Sequence, residues 1–198
     1  MSLTPYADNR GERTRAQLKT ALLKLLAKKS FAEIRIKELA GAAAINRVTF
    51  YDHYDSKEEL LVEMTGEVLG EYADVIESVT VDSSGQRAVA EIMKAVKRTV
   101  QHVYKHRVFY RIMLLSDGVP DFVNQMHEQM EKSLRYMMRS RERVHSDVDF
   151  DLYVNWIIGG AIGVYKYWLK SGMSQPEDAV ARQLLRISLS SNEALSRR

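Results

Sequence analysis

The chain has 198 residues, 45% hydrophobic and 28% charged, a balance that supports one or two water-compatible domains with a buried core. It holds no cysteine, which excludes disulfides, thiolate zinc sites and thiol nucleophiles, and no apolar run approaches the ~20 residues of a membrane span. The net charge of +3 hides an asymmetry: residues 1–51 carry ten Lys/Arg against four Asp/Glu, residues 52–198 nineteen against twenty-two. A basic front on a mildly acidic body directs any polyanion to the front, the plainer alternative being a solvated basic helix. With no apolar leader, a cytoplasmic location and no membrane partner are expected.

Helical spacing runs through almost the whole chain, and the three prolines fall between the helices. The first helix spans about Arg13 to Lys29, with Leu18, Ala21, Leu22, Leu25 and Leu26 as its apolar stripe. A second covers Ile36 to Ala43, a third Arg47 to His53, and a fourth opens at Ser56 and runs to Val79. The polar stretch Asp82–Gln86 marks a loop. A fifth helix follows from Gln86 to Tyr104, a sixth from Arg107 to Leu115 and a seventh from Phe122 to Arg141. After a turn at "HSDVD", in which Asp147 or Asp149 can cap, the eighth spans Phe150 to Lys170. The ninth, from Glu177 to Leu195, has Pro176 at its opening. The expected fold is all-α, with nine helices in two domains: a helix-turn-helix head over residues 1–55 and a helical body over residues 56–198, connected by the fourth helix.

The stretch "INRVTFYDHYDSKEELL", Ile45 to Leu61, carries the chemistry. Ser56-Lys57-Glu58-Glu59 reads as a capping box, Ser56 accepting from the Glu59 amide and Glu59 reaching back to Ser56. The fourth helix thus starts at Lys57, with a charge and free amides able to meet a phosphate. The third helix has about two turns, too few to stand alone, so Ile45, Phe50 and Tyr54 are expected to anchor it. Arg47, Val48, Thr49, Tyr51 and His53 then have no evident core role. Arg47 can read guanine or grip phosphate, Val48 and the Thr49 methyl suit thymine methyls, and the Thr49 and Tyr51 hydroxyls suit phosphates. Asn46 is either a cap for this helix or a further DNA contact.

The segment Phe31–Met64 resembles the N-terminal domain of the TetR family of bacterial transcriptional regulators. The resemblance rests on Leu39-Ala40, Thr49-Phe50-Tyr51-Asp52-His53-Tyr54 and Ser56-Lys57-Glu58-Glu59-Leu60, in order and spacing. It implies a DNA-reading head in which Arg47, Val48, Thr49 and Tyr51 meet bases or phosphates and His53 and Lys57 meet phosphates. Arg10 and Arg13 then form a basic arm before the first helix. Packing within the head is the rival role for His53. Three positions depart from the pattern. Ala44 stands where glycine is usual and, if φ is positive there, costs about 1 kcal/mol. Arg35 replaces the Ser/Thr cap of the second helix, trading a hydrogen bond for a cation that, with Lys37, adds to the DNA-facing charge. Ser30 replaces a helix-ending glycine.

In the body, the resemblance implies an effector site and dimerisation through the last two helices. Tyr153, Trp156, Ile157, Gly160, Ala161, Val164 and Trp168 recur at helical spacing on the eighth helix. Its glycines call for another helix close by, in a partner subunit or in the same one. The expected dimer interface takes in Gly160, Gly163, Val164, Tyr167, Leu184 and Ile187. Tyr104, Phe109, Met113, Phe122, Met126, Met130 and Trp156 are the candidate effector-binding residues, with ordinary core as the alternative for each. Phe109-Tyr110-Arg111, Gly160, Tyr167-Trp168 and Gly172-Met173 also look like a subgroup related to regulators of dihydroxyacetone kinase operons.

His102 and His106 are four apart, with His127 as a candidate third, but the helix is expected to break near Lys105–Arg107 and no supporting carboxylate is evident, so neither a metal nor a cofactor is expected. No nucleophile–base pair, P-loop or dinucleotide fingerprint occurs, and an enzyme is not expected. The expected function is a homodimeric, ligand-responsive repressor that binds a near-palindromic double-stranded DNA operator and is released by a small apolar or amphipathic effector. The alternative is a helix-turn-helix-shaped protein-binding adaptor or co-activator that does not read DNA alone.

Overall fold

The structure is a computed structural model that describes residues 6–78, 86–116, 119, 121–138 and 149–196. Among these residues there are nine α-helices and no strand. They are α1 (Tyr6–Leu26), α2 (Ile36–Ala42), α3 (Arg47–Tyr51), α4 (Lys57–Glu77), α5 (Gln86–Lys105), α6 (Arg107–Leu115), α7 (Phe122–Met138), α8 (Phe150–Lys170) and α9 (Glu177–Ser196). The described residues fall into two compact units: the first runs to Val68 inside α4 and also takes in residues 116 and 119, and the second holds the rest. Most of the Asp82–Gln86 loop, the expected end of α7 near Arg141 and the turn before Asp149 lie outside the described residues.

In the first unit, α1 packs on α2 and α2 on α3. The expected stripe of α1 is buried, Leu18 and Leu22 completely, and meets a core that holds Leu39, Phe50, Tyr54 and Leu60. Between α1 and α2 the chain makes a 3-10 turn, Phe31–Glu33, which periodicity did not reveal. The Glu33 carboxylate accepts from the Ser30 amide (3.0 Å) and from its hydroxyl (2.8 Å), and Phe31 and Ile34 are buried on either side. These hydrogen bonds hold the Glu33 carboxyl below the ordinary carboxylate range, the Ser30 hydroxyl contributing most.

The α2–α3 turn answers the question raised by Ala44. The Ile45 amide donates to the Ala40 carbonyl (3.0 Å) and the Ala44 amide to the Gly41 carbonyl (3.1 Å), the paired bonds of a Schellman motif. The residue between them needs left-handed backbone, and Ala44 adopts it at φ 56°. The left-handed turn is therefore made without glycine, with strain at a residue that has a Cβ.

In the second unit, α5 lies along α9, and α6 and α7 both pack on α8. Asp149 caps α8, its carboxylate accepting from the Leu152 amide at 2.9 Å. The helix ends in a second Schellman pair, Met173 to Trp168 (2.8 Å) and Gly172 to Leu169 (3.2 Å), with Gly172 at φ 71°. Among the described residues, no helix is long and apolar enough to cross a membrane.

Candidate nucleic-acid interface

Five residues make α3, and they divide cleanly by burial. Phe50 is fully buried and packs against Tyr54 (ring centroids 6.0 Å apart) and edge-on to Tyr51 (5.5 Å). Arg47, Val48 and Tyr51 are exposed, Val48 to 70%, and Thr49 is half-buried. A valine exposed to that degree on a helix with so few residues is not a packing residue. The Arg47 guanidinium lies over the Tyr51 ring (5.3 Å) and donates to its hydroxyl (3.0 Å), so arginine and phenol form one preassembled unit. The face can offer a planar set of donors beside an apolar methyl surface, which suits base edges in a major groove.

The remaining head residues are placed as follows. Arg35, at the N-cap position of α2, makes no side-chain cap, as its chemistry implied, and it is exposed, as is Lys37. Asn46 is a cap: its Oδ1 accepts from the Thr49 amide at 2.7 Å, which commits the carbonyl that a base contact would have used. His53 is half-buried beside α1, its Cε1 3.7 Å from where a Cβ on Gly11 would lie, so packing accounts for much of its surface. Arg10 and Arg13 are exposed, but they do not form an arm ahead of the first helix: α1 already begins at Tyr6, and the Thr14 hydroxyl bonds the Arg10 carbonyl within it.

Lys57 departs most from expectation. Its ammonium donates to three carbonyls, Phe31 (2.8 Å), Ala32 (3.2 Å) and Ile34 (2.8 Å), and sits 4.7 Å from the centre of the Phe31 ring. All three of its donors are thus spent on closing the 3-10 turn, and the charge offered to a phosphate in the sequence reading has an internal role. The capping box at the start of α4 is also altered. Glu59 donates its amide to Ser56 Oγ (3.2 Å) as expected, but its carboxylate accepts from Asp55 (2.7 Å) rather than from Ser56.

A charged network braces the head behind this face. Glu63 accepts from Lys19 (2.7 Å), Arg15 (3.1 Å) and the Tyr54 hydroxyl (3.0 Å), and Lys19 also reaches Glu67 (2.6 Å). Burial opposes the Glu63 charge, yet the Lys19 and Tyr54 hydrogen bonds prevail and hold its carboxyl below the usual range. The Tyr54 phenol is pushed far up, first by burial and then by Glu63. Tyr54 closes the segment after α3, so the network fixes the end of the short helix.

In the second unit a cavity of ≈180 Å³ lies among α4, α5, α7, α8 and α9. Of the seven residues expected to line an effector site, Met130 and Trp156 border this cavity. Phe109, Met113, Phe122 and Met126 are instead buried core, because α6 and α7 turn them toward each other; Phe109 and Phe122 meet edge-on at 5.3 Å. Tyr104 is exposed and stacks over Trp168 at 6.2 Å. Sequence reasoning missed Tyr72, Thr99 and Tyr165, which line the cavity's polar corner: the Tyr165 hydroxyl donates to Thr99 Oγ1 at 3.2 Å. A buried threonine in the apolar stripe of α5 was the available signal.

Gly160, Val164, Leu184 and Ile187, expected at a dimer interface, border this cavity as well, with Leu184 buried. Trp156, Gly160, Gly163 and Tyr167 recur at spacings of four, three and four on an exposed stripe of α8, Tyr167 exposed to 68%. A Cβ added at Gly159, Gly160 or Gly163 would meet nothing within 4 Å, so among the described residues no helix of the same chain makes the close approach that these glycines permit.

Residues 19–64 match the family model described as "Bacterial regulatory proteins, tetR family", and residues 90–190 match "Transcriptional regulator C-terminal region". An uncharacterised HTH-type transcriptional regulator of Bacillus subtilis strain 168, YxbF, is 29% identical over 187 residues, which is 90% of this chain and 45% of that protein. The chain spans less than half the length of the curated relatives it matches. Among solved structures, a TetR transcriptional regulator from Streptococcus agalactiae 2603V superposes with a TM-score of 0.69 at 21% identity, covering 92% of this chain and 97% of that one. The dihydroxyacetone kinase operon activator DhaS gives a TM-score of 0.60 at 16% identity, with 92% and 97% covered. At these identities the likeness to both structures is one of fold. The matched family models and relatives are transcriptional regulators rather than enzymes, and the chain belongs to the TetR family of bacterial regulatory proteins.

Proposed function

We propose that the protein is a homodimeric, DNA-binding transcriptional repressor, with the exposed Arg47–Val48–Tyr51 face of α3 as its reading surface and the cavity of the body as the site of a small apolar or amphipathic effector. The observation that carries this reading is the division of α3: one fully buried anchor, Phe50, and a preassembled Arg47–Tyr51 pair facing outward beside a bare valine. Arg35, Lys37, Arg10 and Arg13 add exposed positive charge on the same unit, the sequence-independent part of phosphate attraction. A pair of such heads related by a twofold axis reads a near-palindromic operator. The exposed glycine stripe of α8, with Tyr167 and Ile187, is the face on which a second copy docks. Trp156 and Ile187 are exposed and also border the cavity, so docking there closes the cavity's rim and links its contents to the pairing of subunits. The Tyr72–Thr99–Tyr165 corner receives the polar end of an amphipathic ligand. An effector that favours one arrangement of the two heads then shifts the population away from the one that fits the operator.

Selection of a random-sequence duplex library on the full chain tests the reading. It should enrich a near-palindromic motif, with affinity falling on the order of a thousandfold between about 50 and 200 mM salt. Arg47→Ala should weaken binding to that motif by about 1–3 kcal/mol and relax the preference at one base pair in each half-site. Absence of enrichment, or an affinity indifferent to salt, would reject it in favour of an adaptor that contacts another protein.

A further inference from the structure

Away from both the reading face and the cavity, α4 and α5 bring together three side chains whose chemistry neither of those sites uses. α5 ends at Lys105 and α6 starts at Arg107, but the His106 amide still donates to the His102 carbonyl at 3.0 Å. The helical turn therefore continues through the junction, and the two imidazoles stack on one face with ring centroids 4.6 Å apart. From α4, Glu71 places a carboxylate oxygen 2.9 Å from His106 Nε2. One donor atom from each of Glu71, His102 and His106 can be chosen so that all three lie within 4.8 Å of one another. Sequence spacing gave the histidine pair but not its third member, because Glu71 lies more than thirty positions away.

An ion pair alone does not account for the grouping. Lys105 already bonds the same carboxylate oxygen at 2.7 Å, and that contact neutralises Glu71 without either histidine. It is also the leading cause, followed by His106, of a Glu71 carboxyl held below its ordinary range. His102 is buried and held by aromatic neighbours, its Nε2 3.2 Å from the Tyr110 hydroxyl and its ring edge-on to Tyr72 at 5.6 Å. Yet it borders an open surface depression that Glu71, Asp74 and Lys105 also line. Lys105 has a flexible stem and a side chain 65% exposed, and it can swing into water when a stronger cation arrives.

We propose that Glu71, His102 and His106 form a three-ligand site for a borderline divalent transition ion, with Zn²⁺ the best fit. Two imidazoles and one carboxylate are the donor set that such ions select, and three protein ligands leave a fourth position for water. Metal–ligand bonds of about 2.0–2.2 Å set tetrahedral donors roughly 3.4 Å apart, so the Glu71 oxygen, now 2.9 Å from His106 Nε2, moves slightly away from it, and rotation of the Glu71 and His106 side chains closes the wider separations. The ion would tie α4 to the α5–α6 junction within the second unit. Mg²⁺ and Ca²⁺, which take all-oxygen shells, would not occupy it.

The test uses the full chain without any affinity tag, stripped by chelator and titrated by calorimetry at neutral pH with Zn²⁺ and, in parallel, Mg²⁺. The expected result is one Zn²⁺ per chain, no response to Mg²⁺, and a Co²⁺ form whose visible absorption has the intensity of a four-coordinate site. Glu71→Gln and His106→Gln change an exposed and a half-buried side chain, and circular dichroism verifies that both fold. Each should weaken Zn²⁺ binding at least about tenfold. Lys105→Ala removes the competing ammonium and should tighten it severalfold. No Zn²⁺ binding by the folded wild-type chain, or wild-type affinity in both Gln variants, overturns the site; Lys105→Ala binding no tighter than wild type overturns the assignment of Glu71 as a ligand. None of these outcomes depends on DNA binding.

Discussion

Ala44 holds a left-handed backbone at φ 56° in a turn whose two hydrogen bonds are both made. A Cβ in that region costs about 1–2 kcal/mol, and glycine returns part of this through its greater freedom when unfolded. Ala44→Gly should therefore stabilise the protein by about 0.5–1 kcal/mol in urea unfolding with an unchanged m-value; a destabilised variant would mean that the Ala44 methyl packs in a way its exposed position does not suggest. The departure from glycine was visible in the sequence, and the sign of φ was the quantity needed to interpret it. The roles of Asn46 and Lys57 were less legible. Capping and DNA contact draw on the same residue types, and only coordinates show that Asn46 Oδ1 already accepts from Thr49 and that Lys57 already serves three carbonyls.

Among the elements, α5, α6 and α8 end close to where periodicity and capping place them, because each has a strong apolar stripe or a capping residue at its boundary. The 3-10 turn at Phe31–Glu33 was not legible: three residues give no period, and its clasp comes from Lys57, far along the chain. That clasp has a measurable consequence. Lys57→Met keeps the aliphatic stem and removes the ammonium, so the Ala32 and Ile34 carbonyls lose the donor that serves them and Phe31 keeps only the Ile34 amide. The expected cost is about 1.5–3 kcal/mol of stability, read as a lower thermal midpoint of the full chain. If Lys57→Met instead left the midpoint unchanged and only reduced the salt slope of DNA binding, the phosphate role would be restored. The effector residues were misassigned at this scale too. Periodicity shows that Phe109, Met113, Phe122 and Met126 face inward, but whether inward means a cavity or a neighbouring helix depends on how α6 and α7 meet.

For the molecule as a whole, two sets of groups set the pH range of stability. Glu63 and Glu71, both ion-paired, have carboxyls held below the ordinary 4.5, so their contribution is complete above that value and is lost as pH falls through the lowered one. Tyr54, Tyr72, Tyr110 and Tyr165 are raised above the ordinary 10.0, chiefly by burial, so their contribution is complete below pH 10 and is lost as pH rises. Urea midpoints should be flat between about pH 5 and 9 and fall on both sides; equal midpoints at pH 4 and pH 7 would contradict the carboxylate assignments. The proposed pairing of subunits is also tested at this scale. Gly163→Arg places a cation on the open stripe of α8, where the single chain has room for it. Sedimentation should show the mass halved, while the helix gains from losing a glycine, by about 1 kcal/mol. A variant that keeps the wild-type mass would place the interface elsewhere. The all-α plan was legible because nearly every segment carries one helical period. What pairs with the glycine face was not, since an exposed stripe shows where a partner fits and not what it is.

The brevity of α3 sets a timescale for its surface. A five-residue helix cannot fray from one end and keep the other, since loss of a turn unseats Phe50, which has no exposed surface. The hydrogen-bonded backbone amides of Phe50 and Tyr51 therefore open to solvent only when the core of the head opens, and the proposed reading surface inherits its lifetime from residues that are not part of it. A slowly exchanging, rigid edge is presented to whatever meets it, at the expense of any local looseness that would let it adapt.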